Sequence, residues 1–241
     1  MKLNEILLNT PPTNGQLKNG RTHDRDEMGD EHVSSGGYAT PLRPDAFDLS
    51  DGEKMDLIEG HFAEIMRTLG LDLTDDSLRG TPRRVAKMYV QEIFSGLNPA
   101  NKPKATLFEN AYRYDEMLVE KDITFFSNCE HHFVPIFGRA HVGYISNGKV
   151  IGLSKINRIV QYYAKRPQVQ ERMNVQILNE MREALQTEDV AVLLDAKHMC
   201  VSSRGIQDNS STTVTAQYGG RFRDEDVKQE FLKHVYQSTA R

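Results

Sequence analysis

The amino-acid sequence predicts an α+β fold, an antiparallel sheet carrying two helices on one face, and three observations predict it. The apolar residues recur with helical spacing up to about residue 96 and turn to strand-like runs after Pro99 and Pro103. Two consecutive helical segments then stand between pairs of strand candidates, in the order ββ, αα, ββ. A strictly alternating run, Val190, Val192, Leu194 and Ala196, is followed by the Thr-rich segment Ser211 to Tyr218, which suits a last strand.

Each element has its own justification. Residues 9 to 46 hold Pro11, Pro12, Asn14, Gly15, Gly20, Gly36, Gly37, Pro41 and Pro44 with almost no periodic apolar pattern, so residues 1 to 47 are expected to form a flexible tail. An N-terminal helical region follows over 48 to 100. Ile58, Phe62, Ile65, Met66 and Leu69 share one helical face, with Gly70 as a stop. Thr81 before Pro82 predicts an N-cap with proline at N1, opening a helix that carries Val85, Met88, Tyr89 and Ile93. Residues 101 to 241 form the remaining portion. Ile123 to Phe126 is a short strand candidate, and Ile136 to Ile145 runs through Asn147-Gly148 into Val150-Ile151, the pattern of a hairpin. One helix capped by Ser154 buries Ile156, Ile159, Val160 and Tyr163; another after Pro167 buries Val169, Met173, Ile177, Met181 and Leu185. Asp224 to Tyr236 reads as a closing helix. A lone four-stranded sheet leaves two edges open, so ring closure with other subunits is expected.

The chain has 241 residues, 38% hydrophobic and 27% charged, and its 30 Lys and Arg against 34 Asp and Glu give a formal charge of -4. No global basic field marks nucleic acid or an anionic membrane as the main partner. No apolar run reaches the roughly 18 residues of a spanning helix, and MKLNEILL carries Asn4 and Glu5 within its apolar stretch, so a cytoplasmic location is expected. Cys129 and Cys200 are the only cysteines, too few for a disulfide framework.

Both cysteines stand beside histidines. Cys129-Glu130-His131-His132 follows a strand candidate, and the alternating strand continues in phase to His198 and Cys200, which places both on one side. Thiolate and imidazole suit zinc. Two cysteines and one histidine would leave an open position, as in catalytic zinc sites, where bound water ionises near pH ~7. His131 and His132 are adjacent and cannot both point the same way. One of them therefore lies outside the ligand set and, with His198, supplies imidazole for proton transfer. Arg84 and Lys87 on the helix opened by Thr81, and Ser154, Lys155 and Arg158 on the next, place cations at two helix N-termini; Arg204 follows the cysteine strand. Together they suggest a polyphosphate ligand, without a Walker-type loop. Glu171, in Gln170-Glu171-Arg172, is either a first-turn acid stabilised by the helix dipole or an acceptor for the N–H edge of a purine or pterin.

Several separated motifs in register, Cys129-Glu130-His131-His132-Phe133-Val134-Pro135, Gly152 to Arg158, Arg166 to Arg172, and His198-Met199-Cys200 with Arg204-Gly205, resemble the GTP cyclohydrolase I family of the bacterial type. The resemblance spans roughly residues 40 to 238. It implies a tunnelling fold over residues 101 to 241, assembled as a homodecamer of two pentamers whose sheets close into barrels. It implies one zinc per subunit held by Cys129, His132 and Cys200. The substrate implied is GTP, opened at guanine C8 with release of formate to give 7,8-dihydroneopterin triphosphate, the first step of folate and pterin synthesis. His198 would protonate N7 and His131 would act at the ribose. Glu171, with Gln170 beside it, would anchor guanine, and Ser154, Lys155, Arg158, Arg204, Arg84 and Lys87 would hold the triphosphate. The segment up to about Ala39 has no counterpart in that pattern. Two other readings compete: a different tunnelling-fold enzyme, with a three-histidine zinc site or a cysteine nucleophile, and a non-catalytic zinc-stabilised nucleotide sensor.

Overall fold

The structure, a computed structural model, describes residues 38–237. The expected tail lies outside the described residues as far as position 37. Over 38–47 the backbone forms turns, and it is tied to the body where Gln176 Nε2 donates to Tyr38 O at 2.8 Å and Arg166 Nη1 to Thr40 Oγ1 at 3.1 Å.

Helix α1, Asp51–Thr68, opens with a capping box: Ser50 Oγ accepts from Glu53 N while the Glu53 carboxylate accepts from Ser50 N. Gly70, at φ +82°, follows its end. Helix α2, Thr81–Lys87, passes directly into a π-helical stretch, Met88–Ile93. Its N-cap is Gly80, not Thr81, and the Thr81 hydroxyl accepts instead from Arg84 Nη2 at 2.9 Å. The same correction applies to α3, Leu153–Ala164, whose N-cap is Gly152, with Ser154 already inside the first turn. In both places a hydroxyl marks the start of a helix, but a glycine one or two residues earlier is the residue where the backbone turns.

Strands β1 (Leu107–Glu109), β2 (Met117–Cys129), β3 (Pro135–Ile145), β4 (Lys149–Ile151), β5 (Pro167–Gln168), β6 (Val190–His198) and β7 (Thr213–Tyr218) form two sheets. The main sheet has the order β5-β2-β3-β6-β7, antiparallel except for the short β5, which runs parallel to the end of β2. The expected hairpin is corrected. Val150 and Ile151 lie in β4, which pairs with β1 through Ile151 to Leu107 and Val150 to Phe108. Asn147-Gly148 does turn the chain, with Gly148 at φ +82°, but it turns out of the main sheet. The partner of β3 is β2, far longer than the four residues expected, with a register shift between Glu120 and Ile123.

Helices α3 and α4 (Gln170–Leu185) pack on one face of this sheet. Ile156, Ile159, Val160, Met173, Ile177 and Met181 meet Ile123, Phe125, Ala140, Val142, Val192 and Leu194 in a buried core. The opposite face is covered as well, in part. Helix α6, Glu225–Tyr236, brings Phe231 and Val235 onto Met117, Ile145, Ala191 and Leu193, with Phe222 edge-on to Phe231 at 5.7 Å. This explains why every residue from Val190 to Leu194 is buried, when alternation alone predicts only every second one. No helix among the described residues is long and apolar enough to cross a membrane.

Candidate active site

Strand register brings the separated motifs together. Ile136, which begins the return along β3, pairs with His198 at the end of β6, so the loop preceding Ile136 faces whatever follows His198. That loop is Cys129 to Val134. It closes on itself through Cys129 N to Val134 O and Phe133 N to Cys129 O, each 2.8 Å. Phe133 sits at φ +54°, an uncommon conformation for a bulky residue. Its ring packs edge-on against Phe94 at 5.2 Å and Tyr89 at 6.4 Å, on and just after the π-helical stretch, so packing offsets the backbone cost.

Cys200 does not continue the strand. It lies in a single helical turn, α5, Met199–Ser202. Two more extended residues would carry it about 6.6 Å beyond His198, whereas a helical path advances only about 3 Å. The tighter path leaves one donor atom each of Cys129, His132 and Cys200 within 4.8 Å of the others.

The donor set fits a thiophilic divalent cation. Two thiol sulfurs and one imidazole nitrogen are donor types that zinc takes in its tetrahedral sites. Both thiols are unbridged and Cys129 is 5% exposed. Burial, then the neighbouring Cys129, pushes the Cys200 thiol up to about 11, as expected where two thiols share a poorly solvated site without a counter-charge. Arg204 Nη1 stands 3.1 Å from His132 Nε2, and since a guanidinium only donates, that nitrogen presents a lone pair, the form ligation also requires.

Around this group the structure places the other expected residues unequally. His131 is exposed, with Nδ1 3.7 Å from Cys129 Sγ and Nε2 4.0 Å from Glu130 Oε1. His198 is half-buried; burial lowers its pKa, opposed by the nearby Glu171 carboxylate. Glu171 is exposed in the first turn of α4, where a ligand can reach it. Gln170, expected to contact substrate, is buried instead, and its side chain bonds His198. Arg84 folds back onto Ser77 O and Thr81 Oγ1. Arg84, Lys87, Ser154 and Arg158 are exposed, and Arg158 lines a shallow recess of about 290 Å³ with Gln161 and Lys165. Among the described residues, no hydrogen bond or ion pair joins Arg84, Lys87, Ser154, Lys155 or Arg158 to the Cys/His group.

One feature was not legible in the sequence. The Arg172 guanidinium clamps the Glu130 carboxylate at 2.5 and 3.1 Å, tying the start of α4 to the histidine loop. The two residues are 42 apart, and only the position of Glu130 between Cys129 and His131 hinted at a role. Arg172→Ala is expected to lower stability by about 1–2 kcal/mol in urea unfolding, since it leaves a mostly buried carboxylate unpaired. Unchanged stability would show that the clamp contributes nothing.

Comparison with known proteins gives a consistent result. The family model described as GTP cyclohydrolase I matches residues 58–236. A protein named GTP cyclohydrolase 1 from Flavobacterium johnsoniae is 62% identical over 210 residues, 87% of this chain and 94% of its own. Proteins of the same name from Citrobacter koseri and Salmonella arizonae are 53% and 55% identical, covering 85% and 83% of this chain and 93% and 90% of theirs. With a Cys-His-Cys group at one end of its sheet and such similarity along most of its length, the chain belongs to the GTP cyclohydrolase I family.

Proposed function

We propose that the chain hydrolyses the imidazole ring of the guanine of GTP, releasing formate and forming 7,8-dihydroneopterin triphosphate, with one zinc per subunit held by Cys129, His132 and Cys200. The observation that carries this reading is the convergence of those three donors, from a loop and a helical turn, with His131 and His198 beside them. When bound, zinc supplies Lewis acidity and a nucleophile at neutral pH. His198 gives a proton to N7, which draws electron density from C8 and makes the ring open to attack. His131 gives a proton to the ribose ring oxygen. Glu171 accepts N–H bonds from guanine, and Arg204 binds phosphate at the rim of the metal group.

Ser154, Lys155, Arg158, Arg84 and Lys87 complete the triphosphate site in this reading, some of them reaching in from a neighbouring subunit. Support comes from the exposure of Ser154, Arg158, Arg84 and Lys87, with Lys155 half-buried, and from the sheet edges, since β2 is paired on its outer side only where β5 touches its end, and β7 has no outer neighbour among the described residues. A tunnelling-fold homodecamer closing those edges, the division into a tail (1–47), a helical region (48–100) and a catalytic portion (101–241), and a cytoplasmic location are parts of the same proposal.

The test incubates metal-analysed protein with GTP, with and without a chelator, and follows formate and oxidised fluorescent pterin. Metal-dependent release of both is expected. GTP that binds and stays intact in fully metallated protein would overturn the proposal in favour of a nucleotide sensor. His131→Ser and His198→Ala are each expected to keep zinc and oligomer while turnover falls about 10²–10⁴-fold; full activity in either would remove that histidine from the reaction.

A further inference from the structure

Gln170 is the first residue of α4, yet its side chain is 1% exposed. Its Nε2 lies 3.1 Å from Leu194 O, 2.9 Å from Thr213 O and 3.2 Å from Thr215 Oγ1, so strands β6 and β7 both hold it. Carbonyl oxygens only accept. The amide nitrogen therefore belongs on that side, because the flipped amide would set its oxygen against two others with no hydrogen between them. This orientation turns Oε1 towards His198, 2.7 Å from Nε2. An amide oxygen also only accepts, so Nε2 of His198 carries a hydrogen and donates it. Nδ1 has no hydrogen-bond partner among the described residues.

We propose that Gln170 is a positioning residue that holds His198 as the Nε2–H tautomer, so that Nδ1 is the nitrogen exchanging a proton with substrate. The inference rests on the reading of His198 as the group that protonates the purine. In the imidazolium, the proton leaves Nδ1 for the substrate nitrogen, the N–H electron pair stays on the ring, and Nε2–H remains on Gln170 throughout. A neutral ring can take a proton back only at Nδ1. Two strands thus fix the amide, the amide fixes the ring, and a single nitrogen is left to work. Without Gln170 the ring would populate both tautomers and turn about its Cβ–Cγ bond, and only part of that population would present the working nitrogen.

The test uses full-length, metal-loaded protein. Gln170→Met keeps the length of the side chain and removes the amide. It is expected to retain zinc and to bind GTP, by calorimetry, within about twofold, while kcat falls about 10–100-fold, part of the contribution of a positioned acid. Replacing His198 by Nδ1-methylhistidine is expected to lower turnover to the level of His198→Ala, and this arm decides the matter even where Gln170→Met folds poorly. Activity in the Nδ1-methyl variant, or wild-type kcat in Gln170→Met, overturns the proposal. A raised KM with kcat unchanged also overturns it, by making Gln170 a substrate contact. Full activity in His198→Ala would instead sink the underlying reading of His198.

Discussion

Cys200→Ser is expected to yield a folded chain with less than about a tenth of an equivalent of zinc and turnover reduced at least ~10³-fold. Serine leaves two ligands, His132 and Cys129, and a hydroxyl that does not ionise near neutral pH, so the ion loses a charge-bearing donor. The fold should survive. Cys200 is half-buried on a four-residue helical turn, while the sheet core is made by apolar residues of β2, β3, β6, α3 and α4. Metal analysis and a thermal melt read the two effects apart: metal lost, with the midpoint moved by only a few degrees. A serine variant that keeps full zinc would remove Cys200 from the ligand set. Chelation of the wild type is expected to behave in the same way, and an assembly that falls apart on chelation would make the metal structural.

That Cys129 and Cys200 gather with a histidine was legible because the two cysteines each stand beside one, a local signal that survives whatever fold surrounds it, while the choice of His132 over His131 came from the family resemblance and not from spacing. The geometry of the group was not legible. Alternation along β6 suggested that Cys200 shares a strand face with His198, and only the structure shows the chain turning helical between them. Helices α1, α3 and α4 followed from apolar periodicity, since burying one face leaves a pattern whichever sheet supplies the other side. Pairing partners left no such trace. Asn147-Gly148 announces a turn, but the strand that receives Val150 and Ile151 is Leu107–Glu109, about forty residues upstream. The contacts of Gln170 and Arg172 were hidden for the same reason: their hydrogen bonds run to Thr213, Leu194, His198 and Glu130. Long-range polar contacts of this kind depend on the assembled fold, not on neighbours in sequence.

Gly138→Ala is expected to be severely destabilising for so small a substitution. Gly138 lies in β3 opposite Ala196 of β6, and an added Cβ would stand 2.1 Å from Asp195 O and 2.6 Å from Ala196 Cα. Those are backbone atoms, and β6 is held between β3 and β7 with buried residues on both faces, so neither strand can step aside cheaply. Such overpacking should cost about 3 kcal/mol or more in urea unfolding. Two other glycines serve as controls. Gly60, in α1 with nothing within 4 Å, should become slightly more stable as alanine, by about 0.5–1 kcal/mol. Gly148 has equal room but φ +82°, so its alanine variant should lose about 1 kcal/mol from backbone strain alone. Because Ala196 is two residues before His198, whatever fraction of Gly138→Ala folds should also have a displaced imidazole and a reduced kcat. Stability equal to wild type would mean that β3 and β6 do not approach so closely, and the convergence of Ile136 with His198, on which the whole site depends, would then need another explanation.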